Sequence, residues 1–275
     1  MAVDVFSNLD ALPAASIQTI AERLEIRADI DDFAQMRAKY FDALALPDDA
    51  KLLELGGGTG VVGRAYATRP GFAGTYVVSD LSETLIDFGR AKALEQGLSD
   101  LMDFRVVDAI SGAGLPDTEF DAVILHTILS HVPEPEGVMR TAVKALRLGG
   151  LIAAFDADYG SMQIVSGISE LDQKAESALK NNAVAQPTIM RRMPQVSSRL
   201  GLKLRETHPH FLAEVGESSF FIGIARALTG IVVSQGGLSA DDGEAWLSGL
   251  ENAISQGEFF AMCPYFTYIY EKPSA

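Results

Sequence analysis

Basic residues are scarce in this chain: 22 lysines and arginines stand against 37 acids, a net charge of −15 over 275 residues. No basic cluster interrupts that balance, so a phosphate backbone is a poor partner and nucleic acid is excluded as the expected substrate. Cysteine is scarcer still. The single thiol, Cys263, lies in an apolar run with no partner for an internal bridge, and it reads as a small core residue in a reducing compartment. The first residues carry Asp4 and Asp10 instead of a basic stretch followed by a long apolar run. Neither secretion nor a membrane span is therefore expected, and the cytoplasm is the expected location. Repeats and low-complexity segments are lacking too. His208 and His210 share a strand face at a spacing that suits two metal ligands, yet no third ligand lies nearby in sequence and Pro209 marks an edge strand, so no metal is expected.

Apolar side chains, at 48%, and glycines, at 25, are plentiful, as in an ordinary globular protein with one large domain and a cap. The stretch KLLELGGGTGVVG, residues 51–63, organises them. Lys51 to Leu55 is an apolar run too short for a helix that stops at three glycines, so it predicts a buried strand followed by a turn. Gly56, Gly57, Gly58 and Gly60 then remove Cβ atoms where the chain must turn sharply and approach a ligand, and Val61 to Tyr66 resumes a helical pattern. Strand, glycine loop and helix N-terminus together predict a nucleotide-type site, because the first helical amides are unpaired and carry the positive end of the dipole.

Taken in order, two helices precede that strand, one marked by Ile17, Ile20, Ala21 and Leu24 and the other by Phe33, Met36, Tyr40, Phe41 and Leu44. Residues 1–46 thus form a helical cap able to fold over the glycine loop, with Arg37 and Tyr40 one turn apart and in reach of a common ligand. After the loop helix, Gly74 to Asp80 predicts a second strand ending in an acid placed to bond both hydroxyls of a ribose. Ser82 caps the next helix, which ends at Gly97. A third strand, Met102 to Val107, ends at Asp108, which either meets an exocyclic amine or opens a turn. A fourth, Phe120 to Leu125, runs into His126, and a helix from Pro135 to Leu148 stops at Gly149 and Gly150 before a fifth strand at Leu151 to Phe155. Strands and helices alternating at short intervals predict an α/β, doubly wound, mostly parallel sheet with ligands across the carboxyl ends of its strands. Beyond Phe155 the pattern changes. A helix at Leu171 to Asn181 has no strand before it, and then come a helix at Pro187 to Leu200, a strand at Leu202 to Leu212, two helices within Glu217 to Ser255, and an aromatic-rich last strand at Glu258 to Glu271.

These residues resemble the class I S-adenosylmethionine-dependent methyltransferases, in particular the small-molecule branch that includes ubiquinone and menaquinone type enzymes. The resemblance covers about Lys51 to Asp156 and rests on a combination: E-L-G-G-G-T-G, then Asp80 with L-S-x-x-L, V-V-D ending at Asp108, F-D-A-V-I-L-H-T-I-L-S-H-V-P, and L-R-L-G-G-L-I. It implies a seven-stranded Rossmann-like sheet with an antiparallel last strand and a helical lid. The order of elements divides the chain into a cap at 1–46 and a methyltransferase domain at 47–275, whose helical insertions at about 157–186 and 216–257 depart from the family pattern and leave the acceptor open. The resemblance further implies S-adenosylmethionine as cofactor and S-adenosylhomocysteine as product. Glu54, Gly56, Gly57, Gly58 and Gly60 would pass the methionine part, Asp80 and Leu81 the ribose, Asp108 and Ala109 the adenine, and His126 would lie near the methionine end, while Arg37 and Tyr40 are cofactor-site candidates from their spacing alone. A dinucleotide-binding dehydrogenase fits worse, since the spacing of Gly56, Gly58 and Gly60 departs from G-x-G-x-x-G.

Methyl transfer from a sulfonium is an in-line displacement that needs alignment and dryness more than a base. Where a proton must leave, the candidates are His126, His131, Asp156, Asp158 and Tyr159; His131 is preferred for its imidazole and Asp158 for its place after the fifth strand. The expected acceptor is a small, largely apolar metabolite methylated on O, N or C, enclosed by residues 1–46, 157–186 and 216–257. Neither nucleic acid nor a membrane is an expected partner, and a homodimer is compatible with these features. Two alternatives stay open: a cofactor-binding cyclase or pericyclase of natural-product biosynthesis, and a non-catalytic module that binds the cofactor.

Overall fold

A computed structural model describes residues 9–116, 119–182 and 184–274; the first eight residues of the expected cap, and residue 183 of the first expected insertion, lie outside them. Two helices open the chain, α1 (Ala14–Ala28) and α2 (Asp31–Leu44). A regular alternation follows: β1 (Lys51–Leu55), α3 (Val61–Ala67), β2 (Thr75–Asp80), α4 (Glu83–Glu95), β3 (Met102–Val106), β4 (Phe120–His126), α5 (Pro135–Ala145) and β5 (Leu146–Ala157). The remainder is β6 (Gln163–Val165), α6 (Ser169–Asn182), α7 (Ile189–Arg199), β7 (Lys203–Gly216), α8 (Phe221–Ser234), α9 (Ala240–Ser255) and β8 (Phe259–Glu271). Local chemistry explains several boundaries. The Ser82 hydroxyl accepts from the Leu85 amide and starts α4, Ser239 does the same for α9, and Pro135 opens α5 where its missing N–H costs nothing.

β1 to β5 pair in parallel in the spatial order β3-β2-β1-β4-β5, with Leu53 opposite Val77 on one side and Val123 on the other. β8 then runs antiparallel to β5, from Leu151 opposite Glu271 to Ala157 opposite Tyr265, and β7 pairs antiparallel with its other edge. Two apolar cores cover the two faces. One gathers α2, α3, α4 and the C-terminal helices around Phe33, Tyr40, Tyr76 and Trp246, and the other seats α5 and α7 on Leu53, Val123 and Ile152. The architecture is the expected doubly wound sheet, but it has eight strands and not seven. The added β6 is three residues long, too short for periodicity to announce, and pairs with the end of β8 that reaches beyond β5.

The junction of α5 and β5 also differs from expectation. The helix stops at Ala145 instead of Leu148, because Leu146 is drawn into the core opposite Phe120 and Arg147 bonds Asp121 at 2.6 Å. The register shift between Phe120 and Ala122 absorbs the extra residues, with Gly149 at φ 72°. The two expected insertions pack chiefly on each other: α6, α8 and α9 form one group around Trp246, whose indole N–H donates to Asp172 at 3.0 Å. Phe220, beside α8, reaches the cap through an edge-on contact with Phe33 at 5.1 Å. Among the described residues, no helix is long and apolar enough to cross a membrane.

Candidate functional site

A cavity of about 360 Å³ opens where β1, β2 and β4 end, inside the range of roughly 300–1,000 Å³ that small-molecule sites occupy. Its floor is the glycine loop. Gly56, Gly58 and Gly60 have φ of 69°, 55° and 69°, a left-handed backbone that side chains with a Cβ disfavour. A Cβ on Gly56 would stand 2.4 Å from Ile128 Cδ1, and one on Gly58 would stand 3.0 Å from Leu24 Cδ1, so the loop lies hard against both neighbouring walls. The loop amides are satisfied internally: Gly57 donates to Ser79 O at 2.8 Å, Gly60 to Gly57 O at 2.8 Å, and Gly58 to Asp80 Oδ2 at 2.9 Å.

Asp80 therefore has two structural duties, since its Oδ1 also accepts from the Ser82 amide at 3.0 Å. Burial raises its pKa and the amide bonds oppose that rise. The Leu81 amide also bonds Asp80, and since a carboxylate accepts about four hydrogen bonds, about one position remains for a ligand at the cavity wall. Asp108 is similar: its oxygens accept from the Ile110 amide at 2.9 Å and the Ser111 hydroxyl at 2.7 Å, the latter bond lowering its pKa most, and it lines the cavity while opening a turn. Of the two roles foreseen for it, the structure shows the turn and places the carboxylate at the cavity wall. Glu54, at the end of β1, is 1% exposed, and burial raises its pKa to about 8 while the Tyr76 hydroxyl donates to it at 3.2 Å.

The cap supplies the roof. Leu24, Arg27 and Ala28 of α1 and Phe33 and Arg37 of α2 face the cavity, as does Leu9 before them. Arg27 donates to Thr127 Oγ1 at 2.9 Å, and Arg37 donates to the Ala28 carbonyl at 3.3 Å. The roof is fastened to the floor by Glu25, which accepts from Arg64 at 2.6 Å and from Thr59 at 2.5 Å, and by Asp10, which accepts from Ser82 at 2.5 Å and the Glu83 amide at 2.9 Å.

Of the residues expected at the site, Arg37, Glu54, Gly56, Gly57, Gly58, Asp80, Leu81, Asp108, Ala109, His126 and His131 border the cavity. Tyr40 and Gly60 stand behind its wall. Tyr40 is fully buried, with its hydroxyl hydrogen-bonded to His126 Nδ1 at 2.9 Å, so it positions the imidazole. His126 also stacks on Phe155 at 4.6 Å, and burial pushes its pKa well below the usual range. Gly60 caps α3 against Phe104 and Val78. Asp158 is the correction. It is 4% exposed, accepts from Arg191 Nε at 3.0 Å and from Ser161 at 2.7 Å, and is not among the cavity-lining residues, because the single 3₁₀ turn Tyr159–Ser161 after β5 leaves it facing Arg191 of α7.

The enclosure differs as well: among the described residues, none of 157–186 or 216–257 lines the cavity, and its roof comes from the cap. His208 bonds Glu206 at 3.1 Å and His210 bonds Thr267 at 3.0 Å, so each ring is engaged by a neighbour on the sheet. Sequence reasoning missed Arg27, Thr127 and Ile128. Arg27 ends an amphipathic helix as a basic last-turn residue commonly does, and nothing in sequence marked it from its neighbours. Thr127 has φ 57°, unusual for a β-branched residue and invisible to any sequence rule.

The cavity's chemistry agrees with comparisons to known proteins. The family model described as a methyltransferase domain matches residues 53–154. The chain is 29% identical over 151 residues to a ubiquinone biosynthesis O-methyltransferase of Thiobacillus denitrificans, covering 53% of this chain and 62% of that protein. It is 28% identical over 106 residues to a ubiquinone/menaquinone biosynthesis C-methyltransferase of Ectopseudomonas mendocina, covering 38% of this chain and 41% of the relative, so it spans about two fifths to three fifths of these relatives. Among solved structures, the YcgJ protein of Bacillus subtilis superposes with a TM-score of 0.61 at 14% identity over 88% of this chain and all of that one. Fold and matched segment coincide on the strands that carry the cavity, and residues 53–154 are a methyltransferase domain of the class I, S-adenosylmethionine-dependent type.

Proposed function

We propose that the protein transfers a methyl group from S-adenosylmethionine to a small, largely apolar metabolite. The observation that carries this is Asp80: it stands at the tip of β2, braces the glycine loop with one oxygen and α4 with the other, and keeps acceptor capacity toward the cavity. When bound, the cofactor supplies a sulfonium-activated methyl group. Asp80 and Leu81 would hold the ribose, Asp108 and Ala109 the adenine, and Glu54, Gly56, Gly57 and Gly58 the methionine part, with Arg37 pairing its carboxylate and His126 beside it. The fit is supported by the left-handed glycines, by the carboxylate of Asp80 at the cavity wall, and by Arg27 and Arg37 in the lining as cationic groups.

The chain's own contribution is to bind, align and keep dry. Leu9, Leu24, Phe33, Ile128 and Val132 make an apolar enclosure, which favours a small apolar acceptor. The net charge of −15 supports a metabolite over nucleic acid, and the lone buried thiol supports a cytoplasmic place of action. For an acceptor that must lose a proton, His131 is the proposed base: it borders the cavity and sits edge-on to Tyr159 at 6.2 Å. The turn that carries it is fixed by the buried carboxylate of Asp156, which accepts from the Ser130 amide and hydroxyl, both at 2.9 Å. Incubation with methyl-labelled cofactor and a metabolite extract from the source organism, followed by mass spectrometry, tests the reading. Label in a small product supports it, label found on macromolecules alone overturns it, and an unlabelled new product moves the assignment to cofactor-assisted cyclisation.

A further inference from the structure

Two guanidinium groups in the roof of the cavity lack a charged partner. Arg27 meets a threonine hydroxyl and lies over the Phe33 ring, 5.6 Å from its centroid; Arg37 meets the Ala28 carbonyl through two bonds of 3.3 Å. Among the described residues neither forms an ion pair, although the chain has 37 acids to 22 bases. The acids nearby are committed elsewhere. Glu25 holds Arg64 and Thr59, Asp80 holds the Gly58 and Ser82 amides, and Glu54 is buried against Tyr76. Arg27 and Arg37 are half-buried at the cavity, where a ligand can take their remaining donors, and the planar fork of a guanidinium matches a carboxylate.

The methyltransferase reading uses one of them. The cofactor has a single carboxylate, so one guanidinium is left over. Both arginines act electrostatically on His126, Arg27 the more strongly, and Arg37 acts also on Glu54 at the end of β1, on the side of the glycine loop. Arg27 is instead tied to Thr127, just past β4, on the wall that continues through Ile128 and His131. Thr127 is held at φ 57°, a strained conformation that concentrates at ligand sites, and its hydroxyl fixes the guanidinium.

We propose that Arg27 recognises the methyl acceptor, and that the acceptor is a small, largely apolar carboxylic acid whose carboxylate pairs with the Arg27 guanidinium. This rests on the methyltransferase reading. The test titrates the protein calorimetrically, first with S-adenosylhomocysteine, then, once saturated, with benzoate or its uncharged isostere benzamide. The proposal expects benzoate to bind at least about tenfold more tightly than benzamide, a modest gain for one charge-assisted pair. Arg27→Gln should bring benzoate down to the benzamide level and leave S-adenosylhomocysteine affinity within about twofold, which also reports that the variant is folded. Arg27→Lys should retain part of the preference. Equal binding of the two probes, no benzoate binding, or a preference that survives Arg27→Gln and disappears in Arg37→Gln overturns the assignment. Failure of the wild type to bind S-adenosylhomocysteine is a separate result, read in the first titration, and overturns the reading beneath it.

Discussion

The floor and the roof of the cavity are built by different means. The floor is main chain: a glycine loop whose amides are bonded within itself, to β2 and to Asp80, at the end of five parallel strands that cannot shift singly. The roof is side chain: Leu24, Arg27, Phe33 and Arg37, carried on two helices outside the alternating strands and helices. It is fastened by the Glu25 and Asp10 clasps and by a small apolar cluster of Leu9, Ile17, Ala21 and Leu85. Lifting α1 breaks a few polar bonds and a small apolar cluster, whereas α2 is held in the main core through Phe33 and Tyr40, and deforming the floor unpairs a sheet. The difference teaches that the floor of the cavity is rigid while the first helix of its roof is the part that can move.

The largest effect expected is on the floor. Gly58→Val puts a branched side chain at φ 55° and against Leu24, so affinity for S-adenosylmethionine should fall by roughly a thousandfold, about 4 kcal/mol, with the fold retained. Unchanged calorimetric affinity would remove the loop from the site. Next is the main clasp. Glu25→Ala leaves Arg64, whose side chain is 5% exposed, without its counter-charge, and urea unfolding should register a loss of about 3 kcal/mol. A loss below about 1 kcal/mol would mean that the clasp does not fasten the roof.

Asp80→Ala removes a brace of the loop and, on the proposed reading, the carboxylate that holds the ribose. Binding should weaken at least tenfold, about 1.4 kcal/mol or more, and an affinity within twofold of wild type would place the ribose elsewhere. The smallest effect is on pH dependence. Burial raises the Glu54 pKa from 4.5 to about 8, so the folded protein holds a proton that the unfolded chain has lost. That stabilisation is full below pH 4.5 and declines as pH rises toward 8. Between pH 7 and 8 His126, whose pKa is depressed, is mostly neutral in both states and adds little to the slope. Urea midpoints should therefore fall across that interval in the wild type and stay flatter in Glu54→Gln; equal slopes would refute the assignment.

The floor was readable in advance because its signals are local. Three glycines after an apolar run, acids at strand tips and Ser82 ahead of a helix each describe their own few residues, and the structure places the corresponding elements within a few residues of expectation. The end of α5 was not readable, since Gly149 and Gly150 looked like a helix stop while burial of Leu146 opposite Phe120 decided the matter. Asp158 looked like an acceptor-facing acid for the same reason that Asp80 did, and only the distant Arg191 turned it away.

Sequence alone determined the alternating parallel sheet, the glycine loop and the order of acids along its strand ends, because periodicity, chain turns and capping act within a few residues. Tertiary structure decided which helices roof the cavity, which arginine faces which wall, and which buried carboxyl is raised in pKa. Those outcomes depend on contacts such as Glu25 with Arg64, Arg27 with Thr127 and Tyr40 with His126, between residues 39, 100 and 86 positions apart. No local pattern encodes them, since each requires the packed sheet to bring its partners together.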